Sequence, residues 1–155
     1  MKRITSFSVD HTKLQRGMYI SRIDGDVTTY DIRMKVPNAG DYLPNGALHT
    51  FEHLFATYAR NSKYADGVIY VGPMGCRTGF YLLTRGLTNE QVIELCQDSF
   101  SFIASFEGEV PGTTEPECGN YREHDLPSAK REAAAMADVL QGWTEAQLQY
   151  PAYLE

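Results

Sequence analysis

The sequence predicts an α+β fold in which an antiparallel sheet packs against helices. Two observations indicate this class: some segments alternate apolar and polar residues, and longer ones place apolar residues at helical spacing. The two kinds of segment are mixed along the chain without a regular strand–helix–strand alternation, which disfavours a parallel α/β sheet. Since the chain has 155 residues, we expect one domain that spans residues 1–155.

Four short segments are predicted as strands. Apolar and polar residues alternate over residues 28–36, a period of two that is typical of a strand with one covered face. A turn sequence at residues 24–26 precedes it, so residues 18–23 are expected to be its hairpin partner. Residues 68–71 are predicted as a short buried strand, and residues 79–84 as another after a glycine-rich loop.

Two helices are predicted from capping residues and apolar spacing. Asn45 is expected to cap a helix that runs over residues 47–61. Thr88 and Gln91 form a capping box that opens a second helix over residues 89–106.

The chain after the second predicted helix begins with an irregular loop. Residues 108–121 contain several prolines and glycines, which disfavour regular structure. Pro127 suits the first turn of a third helix, which is expected to end near Gly142.

Composition and charge argue against several classes of protein. The 43% hydrophobic and 22% charged fractions are typical of a soluble globular chain. A net charge of −6 argues against a nucleic-acid backbone or an anionic membrane as the main partner. No apolar run approaches the roughly 18 residues of a membrane span, and the N-terminus does not resemble a secretory signal. We therefore expect a cytoplasmic protein with reduced cysteines.

A histidine pair on the first predicted helix suggests a metal site. His49 and His53 are four residues apart, so they lie on one helical face with Glu52 beside them. Two imidazoles can bind one metal ion, and a glutamate there can move protons without being a ligand. The alternative is a polar helix face that carries two unrelated histidines.

A third ligand has to come from elsewhere, and Cys118 in the irregular loop is the best candidate. Two histidines and a cysteine with an open fourth position form a catalytic arrangement. The alternative for Cys118 is a surface thiol. His124 offers a further alternative, because as a fourth ligand it would close the coordination shell and make the site structural.

The other two cysteines differ in their surroundings. Cys76 has glycines on both sides that let the backbone approach a ligand, and Arg77 next to it would favour the thiolate. The alternative is a small buried residue. Cys96 lies on the apolar face of the second predicted helix and is expected in the core.

Taken together, these motifs resemble the S-ribosylhomocysteine lyase (LuxS) family of bacterial quorum-sensing and methyl-cycle enzymes. The His–x–x–Glu–His pattern alone would be weak evidence, because inverted zinc peptidases share it. The resemblance covers nearly the whole chain. Its motifs lie at residues 6–13, 30–33, 37–38, 49–53, 73–81, 118–120 and 124–126.

This resemblance implies a homodimer with two identical active sites at the interface. It implies one divalent metal ion per subunit, natively Fe(II), for which Zn(II) or Co(II) can substitute. The ion would be held by His49, His53 and Cys118, with the fourth position left for water or substrate.

The resemblance also assigns the remaining site residues. Cys76 and Glu52 match the acid/base pair of the family, and Ser6, His11 and Arg33 match residues that line its substrate pocket. Ser6 and His11 are expected to reach across from the other subunit.

The reaction implied by the resemblance cleaves the thioether bond of S-ribosylhomocysteine. The metal ion acts as a Lewis acid while the sugar carbonyl migrates, and β-elimination then expels homocysteine. The second product is 4,5-dihydroxy-2,3-pentanedione, the precursor of autoinducer-2.

One residue departs from the family pattern, and two other functions stay open. Tyr70 stands six residues before Cys76, where members of the family often carry an aspartate. A phenol can donate a hydrogen bond but is not a carboxylate near neutral pH. The alternatives are a small metallopeptidase with the inverted motif and a non-catalytic module with a structural metal.

Overall fold

A computed structural model describes residues 1–155 and confirms the predicted α+β class. Its sheet contains four strands, β1 (Gly17–Asp24), β2 (Val27–Arg33), β3 (Val68–Pro73) and β4 (Gly79–Arg85). All neighbouring strands are antiparallel, and their spatial order is β1-β2-β4-β3. The predicted hairpin of the first two strands is confirmed. β2 and β4 form the centre of the sheet, and the other two strands form its edges.

Three helices accompany the sheet. They are α1 (Asn45–Asn61), α2 (Asn89–Ala104) and α3 (Leu126–Val139). Thr88 and Gln91 form the predicted capping box at the start of α2, and this helix ends two residues before the predicted position. None of the three combines the length and apolar character that a membrane crossing requires.

The other two helix starts give one correction and one confirmation. Asn45 is not the cap of α1, because the helix begins there and Pro44 precedes it without any side-chain capping bond. Pro127 lies in the first turn of α3, as predicted. The cap of α3 is Asp125, whose carboxylate accepts a hydrogen bond from the backbone N–H of Ser128 at 3.1 Å.

The helices cover one face of the sheet with an apolar core. Phe51 of α1 stacks on Phe80 of β4 with 4.9 Å between ring centroids and lies 5.3 Å from the ring of Phe100 in α2. Cys96 is fully buried in the same core, as predicted. Burial raises the pKa of the Cys96 thiol, which therefore stays protonated at neutral pH.

The other face of the sheet is also partly covered, which corrects two predictions. Asp31 and Arg33 on the supposed open face of β2 are 1% and 3% exposed. Tyr150 covers them, since its hydroxyl donates to Asp31 at 2.6 Å while its ring stacks on Tyr19. β3 is only partly buried, because it is an edge strand whose Tyr70 is 55% exposed.

The N-terminal segment is tied to the C-terminal end of the same chain. Val9 forms an antiparallel bridge with Tyr153, and the N–H of Asp10 donates to the carbonyl of Ala152 at 3.0 Å. Val9 also joins a small second apolar cluster with Leu14, Tyr19 of β1 and Tyr150. These contacts hold the N-terminal segment against the face of the sheet that the helices do not cover.

Candidate functional site

Four side chains that can bind a metal come together at one place on the helical side of the fold. His49 and His53 project from α1, Cys118 lies in the loop before α3, and His124 lies just before the first turn of α3. One ligand atom from each lies within 4.8 Å of the ligand atoms of the others. This metal cluster, as we call these four residues, can hold one metal ion.

Backbone carbonyls orient the two histidines of α1. The Nδ1 of His49 lies 2.9 Å from the carbonyl oxygen of Glu123, and that of His53 lies 2.8 Å from the carbonyl of Pro111. Because a carbonyl only accepts hydrogen bonds, both Nδ1 atoms carry the proton and both Nε2 atoms keep a lone pair. Those Nε2 atoms lie 3.4 and 4.0 Å from the sulfur of Cys118.

The loop before α3 has to pass close to His53 to make this contact. Gly112 of the loop has φ +72°, and a Cβ atom on it would lie 3.2 Å from the Nδ1 of His53. A larger residue would be strained there and would press on the imidazole. The glycine content of this loop, which the sequence indicated only as irregularity, therefore serves the geometry of the cluster.

His124 occupies a different position from the other two histidines. Its ring stacks on that of His49 with 3.9 Å between centroids and 23° between planes, and its Nδ1 lies 2.9 Å from Thr50 Oγ1. Its Nε2 is buried and has no hydrogen-bond partner. Burial, and after it the neighbouring His49 and His53, lower the pKa of His124 to about 4, so this ring is neutral at pH 7.

Glu52 accompanies the cluster without belonging to it. It is half-buried on α1, next to His53, and is not one of the four groups that meet. Its carboxylate makes no hydrogen bond or ion pair within the chain. A group that approaches α1 from outside can therefore reach this carboxylate.

Cys76 lies in a second site, which we call the thiol pocket. The residue is exposed in the turn between β3 and β4, so the alternative of a small buried cysteine is wrong. The turn opens into a cavity of about 390 Å³. Residues that line this cavity include Ser6, His11, Arg33, Tyr42, Tyr81 and Cys76.

The thiol pocket contains Ser6 and His11 of the same chain as its Cys76. The expectation that these two residues reach across to the other subunit stays a prediction. Within one chain, the pairing of Val9 with Tyr153 holds the N-terminal segment against its own sheet. The Nδ1 of His11 adds a bond of 2.9 Å to the carbonyl of Val9.

A buried hydrogen-bond chain leads from the sheet to the thiol. Arg33 donates from Nε and Nη2 to the two carboxylate oxygens of Asp31 at 3.1 and 2.6 Å, and Tyr150 donates to the same carboxylate. The Nη1 of Arg33 donates to Thr78 Oγ1 at 2.7 Å, and that oxygen lies 3.0 Å from the sulfur of Cys76. Sequence analysis identified Arg33 and Cys76 in this chain and missed Asp31, Thr78 and Tyr150. The i, i+2 spacing that places Asp31 and Arg33 on one face of a strand was the available signal.

The electrostatic balance of this chain keeps Arg33 charged. Burial opposes the guanidinium charge, but Asp31 and, more weakly, Cys76 outweigh that effect and raise the pKa of Arg33. A buried arginine with a bidentate carboxylate partner is a fixed positive charge. One of its N–H groups donates to Thr78, and Thr78 lines the thiol pocket.

The metal cluster and the thiol pocket lie on opposite sides of the sheet. Phe80 of β4 points into the helical layer. There it packs on Phe51, which lies between His49 and His53 in the sequence of α1. Arg33 and Tyr81 alternate with the core residues and therefore point to the other face, toward Cys76. No residue of the pocket belongs to the cluster. A single chain therefore holds the metal cluster and the Cys76 thiol at two separate places.

Comparison with known proteins gives a consistent family match. The profile of the S-ribosylhomocysteinase (LuxS) family matches residues 4–147. A protein of Phocaeicola vulgatus named S-ribosylhomocysteine lyase is 54% identical, with 97% of this chain and 98% of the relative covered. Proteins of the same name from Porphyromonas gingivalis and Borreliella afzelii are 50% and 46% identical, again over 97% of this chain and 99% and 100% of the relatives.

Proposed function

Because the chain belongs to the S-ribosylhomocysteinase (LuxS) family, we propose that it is an S-ribosylhomocysteine lyase. Its substrate is a ribose joined through sulfur to homocysteine, and its products are homocysteine and 4,5-dihydroxy-2,3-pentanedione. The observation that carries this proposal is the convergence of two oriented imidazoles and a cysteine beside a half-buried glutamate.

The donor set of the metal cluster fits a divalent metal ion. His49 and His53 keep their Nε2 lone pairs because their Nδ1 atoms donate to backbone carbonyls, and Cys118 supplies a thiolate. These three residues would hold the ion, natively Fe(II), with Zn(II) or Co(II) as substitutes. When bound, the ion supplies a Lewis acid for oxygens of the sugar.

The stacking of two imidazole rings supports an open fourth position. An imidazole would hold the ion through a nitrogen lone pair, and that lone pair lies in the plane of the ring. His49 and His124 lie face to face and nearly parallel, so their in-plane lone pairs do not converge on one point. We therefore assign His49 as the ligand and leave His124 outside the coordination shell.

Proton transfer at the sugar is assigned to Cys76 and Glu52. A base has to remove a proton beside the carbonyl and return it one carbon along, so that the carbonyl migrates toward the thioether. Once the thioether is β to the carbonyl, removal of another proton expels the homocysteine thiolate, which then takes up a proton. No water is consumed and no redox change occurs. A thiolate and a carboxylate on two edges of the substrate suit these repeated transfers.

Binding of the substrate is assigned to the thiol pocket. Arg33 presents a buried cation there, and Ser6 and His11 add polar groups at its wall. Tyr70, where the family often has an aspartate, lines a neighbouring cavity and not this pocket. The arrangement of Arg33 and Cys76 does not depend on a carboxylate at that position.

A homodimer with shared active sites accounts for the separation of the metal cluster from the Cys76 thiol within one chain. The reaction requires the acid/base thiol and the metal-binding residues at one substrate, whereas one chain holds them on opposite sides of its sheet. A second copy that presents its thiol pocket to the metal cluster of the first completes the site. By two-fold symmetry the same contact forms twice.

The proposal is tested by thiol release. The protein is purified without oxygen, loaded with Fe(II) and mixed with S-ribosylhomocysteine, and free homocysteine is measured with a thiol reagent. We expect stoichiometric homocysteine and pentanedione, and none from protein stripped of metal by a chelator. Metal-loaded protein that releases no thiol would contradict the lyase assignment and favour a structural metal.

A further inference from the structure

We propose that Thr78 is a positioning residue that holds the Cys76 thiolate and couples it to the buried Arg33 charge. The inference rests on the proposed function of Cys76 as an acid/base group. It concerns a hydroxyl that is 2% exposed, between the arginine on one side and the sulfur on the other.

The direction of the hydrogen bonds follows from what each group can donate. The guanidinium of Arg33 has only donors, so Thr78 Oγ1 accepts from it over 2.7 Å. The hydroxyl proton of Thr78 is then directed elsewhere, and the Cys76 sulfur at 3.0 Å is its only other side-chain partner. A thiolate accepts such a bond with both its lone pairs and its charge, so this hydroxyl stabilises the deprotonated sulfur.

The position of Thr78 is fixed independently of the thiol. Its carbonyl accepts the backbone N–H groups of Met34 and Lys35 at 2.8 and 3.0 Å, which ties it to the end of β2. The next residue, Gly79, begins β4, where a Cβ atom would collide with the carbonyl of Ile32. Close backbone contact therefore anchors this end of the hairpin, while the Cys76 side chain beyond it is exposed.

The charge behind the hydroxyl is also fixed. Arg33 is 3% exposed and is held by both oxygens of Asp31, which in turn accepts from Tyr150. Arg33 makes no hydrogen bond to Cys76 itself. Thr78 is therefore the only hydrogen-bonded route by which the buried cation acts on the sulfur.

Two substitutions at Thr78 distinguish the effect of its hydroxyl from the effect of its side-chain volume. Thr78→Val keeps the volume and removes the hydroxyl, whereas Thr78→Ser keeps the hydroxyl and removes the methyl group. Thr84→Val is the matched control, because Thr84 is also 2% exposed on the same hairpin and its hydroxyl makes no hydrogen bond. If Thr78→Val does not yield folded protein, Thr78→Ala replaces it with the same expectations.

The main measurement is the alkylation rate of Cys76 by iodoacetamide, followed by peptide mapping across a range of pH. We expect Thr78→Val to slow alkylation at pH 7 at least fivefold and to move the rate profile to higher pH. Thr78→Ser and Thr84→Val should stay within twofold of the unchanged protein. Alkylation of Thr78→Val at the original rate overturns the proposal, and so does equal slowing in Thr78→Ser.

A second measurement connects the thiol to turnover. Thr78→Val should lower kcat at least tenfold with a smaller change in KM, since the substrate-binding groups remain. A purely structural role would lower the melting temperature while the alkylation rate of the folded protein stayed unchanged. Alkylation needs neither metal nor substrate. A protein without lyase activity whose alkylation still depends on the Thr78 hydroxyl would therefore refute the proposed function but not the coupling of Thr78 to the Cys76 thiolate.

Discussion

Phe51 of α1 and Phe80 of β4 stack with their ring centroids 4.9 Å apart, directly behind the metal-binding face of the helix. Both are fully buried, so this aromatic pair fixes α1 to one face of the sheet. His49 and His53 project from the side of α1 that meets the loop before α3. The pair thereby keeps the metal cluster and the thiol pocket of one chain apart, which is why the proposed site draws on a second chain.

Mixing of inactive subunits tests this arrangement. Cys76→Ala lacks the thiol but keeps the metal cluster, whereas His53→Ala lacks a metal ligand but keeps the thiol pocket. A heterodimer of the two contains one intact site and one doubly damaged site. Since half of randomly exchanged dimers are heterodimers, we expect about a quarter of the original thiol-release activity.

The control for the mixing experiment uses two residues of one pocket. His11 and Cys76 line the same cavity of the same chain, so a heterodimer of His11→Ala and Cys76→Ala has no site with both groups intact. No recovery is expected there. Recovery in this pair, after subunit exchange has been verified by mass spectrometry, would show that the N-terminal segment serves the partner.

The ligand assignment is tested by metal content. His49→Ala, His53→Ala and Cys118→Ala should each lose most bound metal and nearly all activity, because two remaining ligands compete poorly with buffer. Metal is measured by elemental analysis after anaerobic gel filtration. Stoichiometric metal in Cys118→Ala would exclude Cys118 as a ligand.

His124→Ala tests the fourth position of the same cluster. Since its ring is stacked on His49 and does not aim at a shared point, we expect this variant to retain the metal at close to one ion per subunit. A loss equal to that of His53→Ala would make His124 a fourth ligand and favour a closed, structural shell.

The sequence predicted those parts of the fold that depend on local pattern. The hairpin of β1 and β2 and the capping box of Thr88 and Gln91 follow from turn and cap chemistry within a few residues, and both are confirmed. The burial of Asp31 could not be predicted in this way. It is covered by Tyr150, which is 119 residues away in the chain, and local alternation carries no information on such a contact.

In the candidate site, too, local patterns could be predicted and long-range contacts could not. The i, i+4 spacing of His49 and His53 placed them on one helical face, since helix geometry alone decides it. The contact of Cys118 with both imidazoles spans more than sixty residues, so the sequence offered Cys118 only as the best candidate in the irregular loop, and the family resemblance added the assignment as a ligand. The role of Thr78 was not foreseen, because it depends on a three-dimensional contact with Arg33 across two strands.

The buried tyrosine over β2 predicts a stability effect at high pH. Burial, and after it the Asp31 carboxylate, raise the pKa of Tyr150 above its ordinary value. The unfolded chain loses this proton near pH 10, while the folded chain keeps it. The unfolded state then binds fewer protons, so the free energy of unfolding falls as the pH rises above about 10.

Tyr150→Phe isolates this effect. The variant should lose about 1–2 kcal/mol of stability at pH 7, because Asp31 loses a hydrogen bond in a buried site. Its free energy of unfolding should then fall less steeply between pH 9 and pH 11 than that of the unchanged protein. Urea unfolding at each pH measures both quantities. Tyr153→Phe, at an exposed neighbouring position, is the control, and an identical slope in Tyr150→Phe would contradict the prediction.

The last prediction separates metal binding from proton transfer. Cys76→Ala and Glu52→Gln should each keep the fold and one metal ion per subunit, since neither side chain is in the metal cluster. Both should lose activity by about 10²–10⁴-fold, the range typical of general acid–base groups. If the two groups act on different edges of the substrate, as proposed, one variant should accumulate a ketose intermediate that the other never forms. Substrate deuterated beside the sugar carbonyl reports the blocked step, as exchange with solvent without thiol release marks a block after the first proton removal. Normal turnover by Cys76→Ala would leave the thiol pocket without a catalytic role.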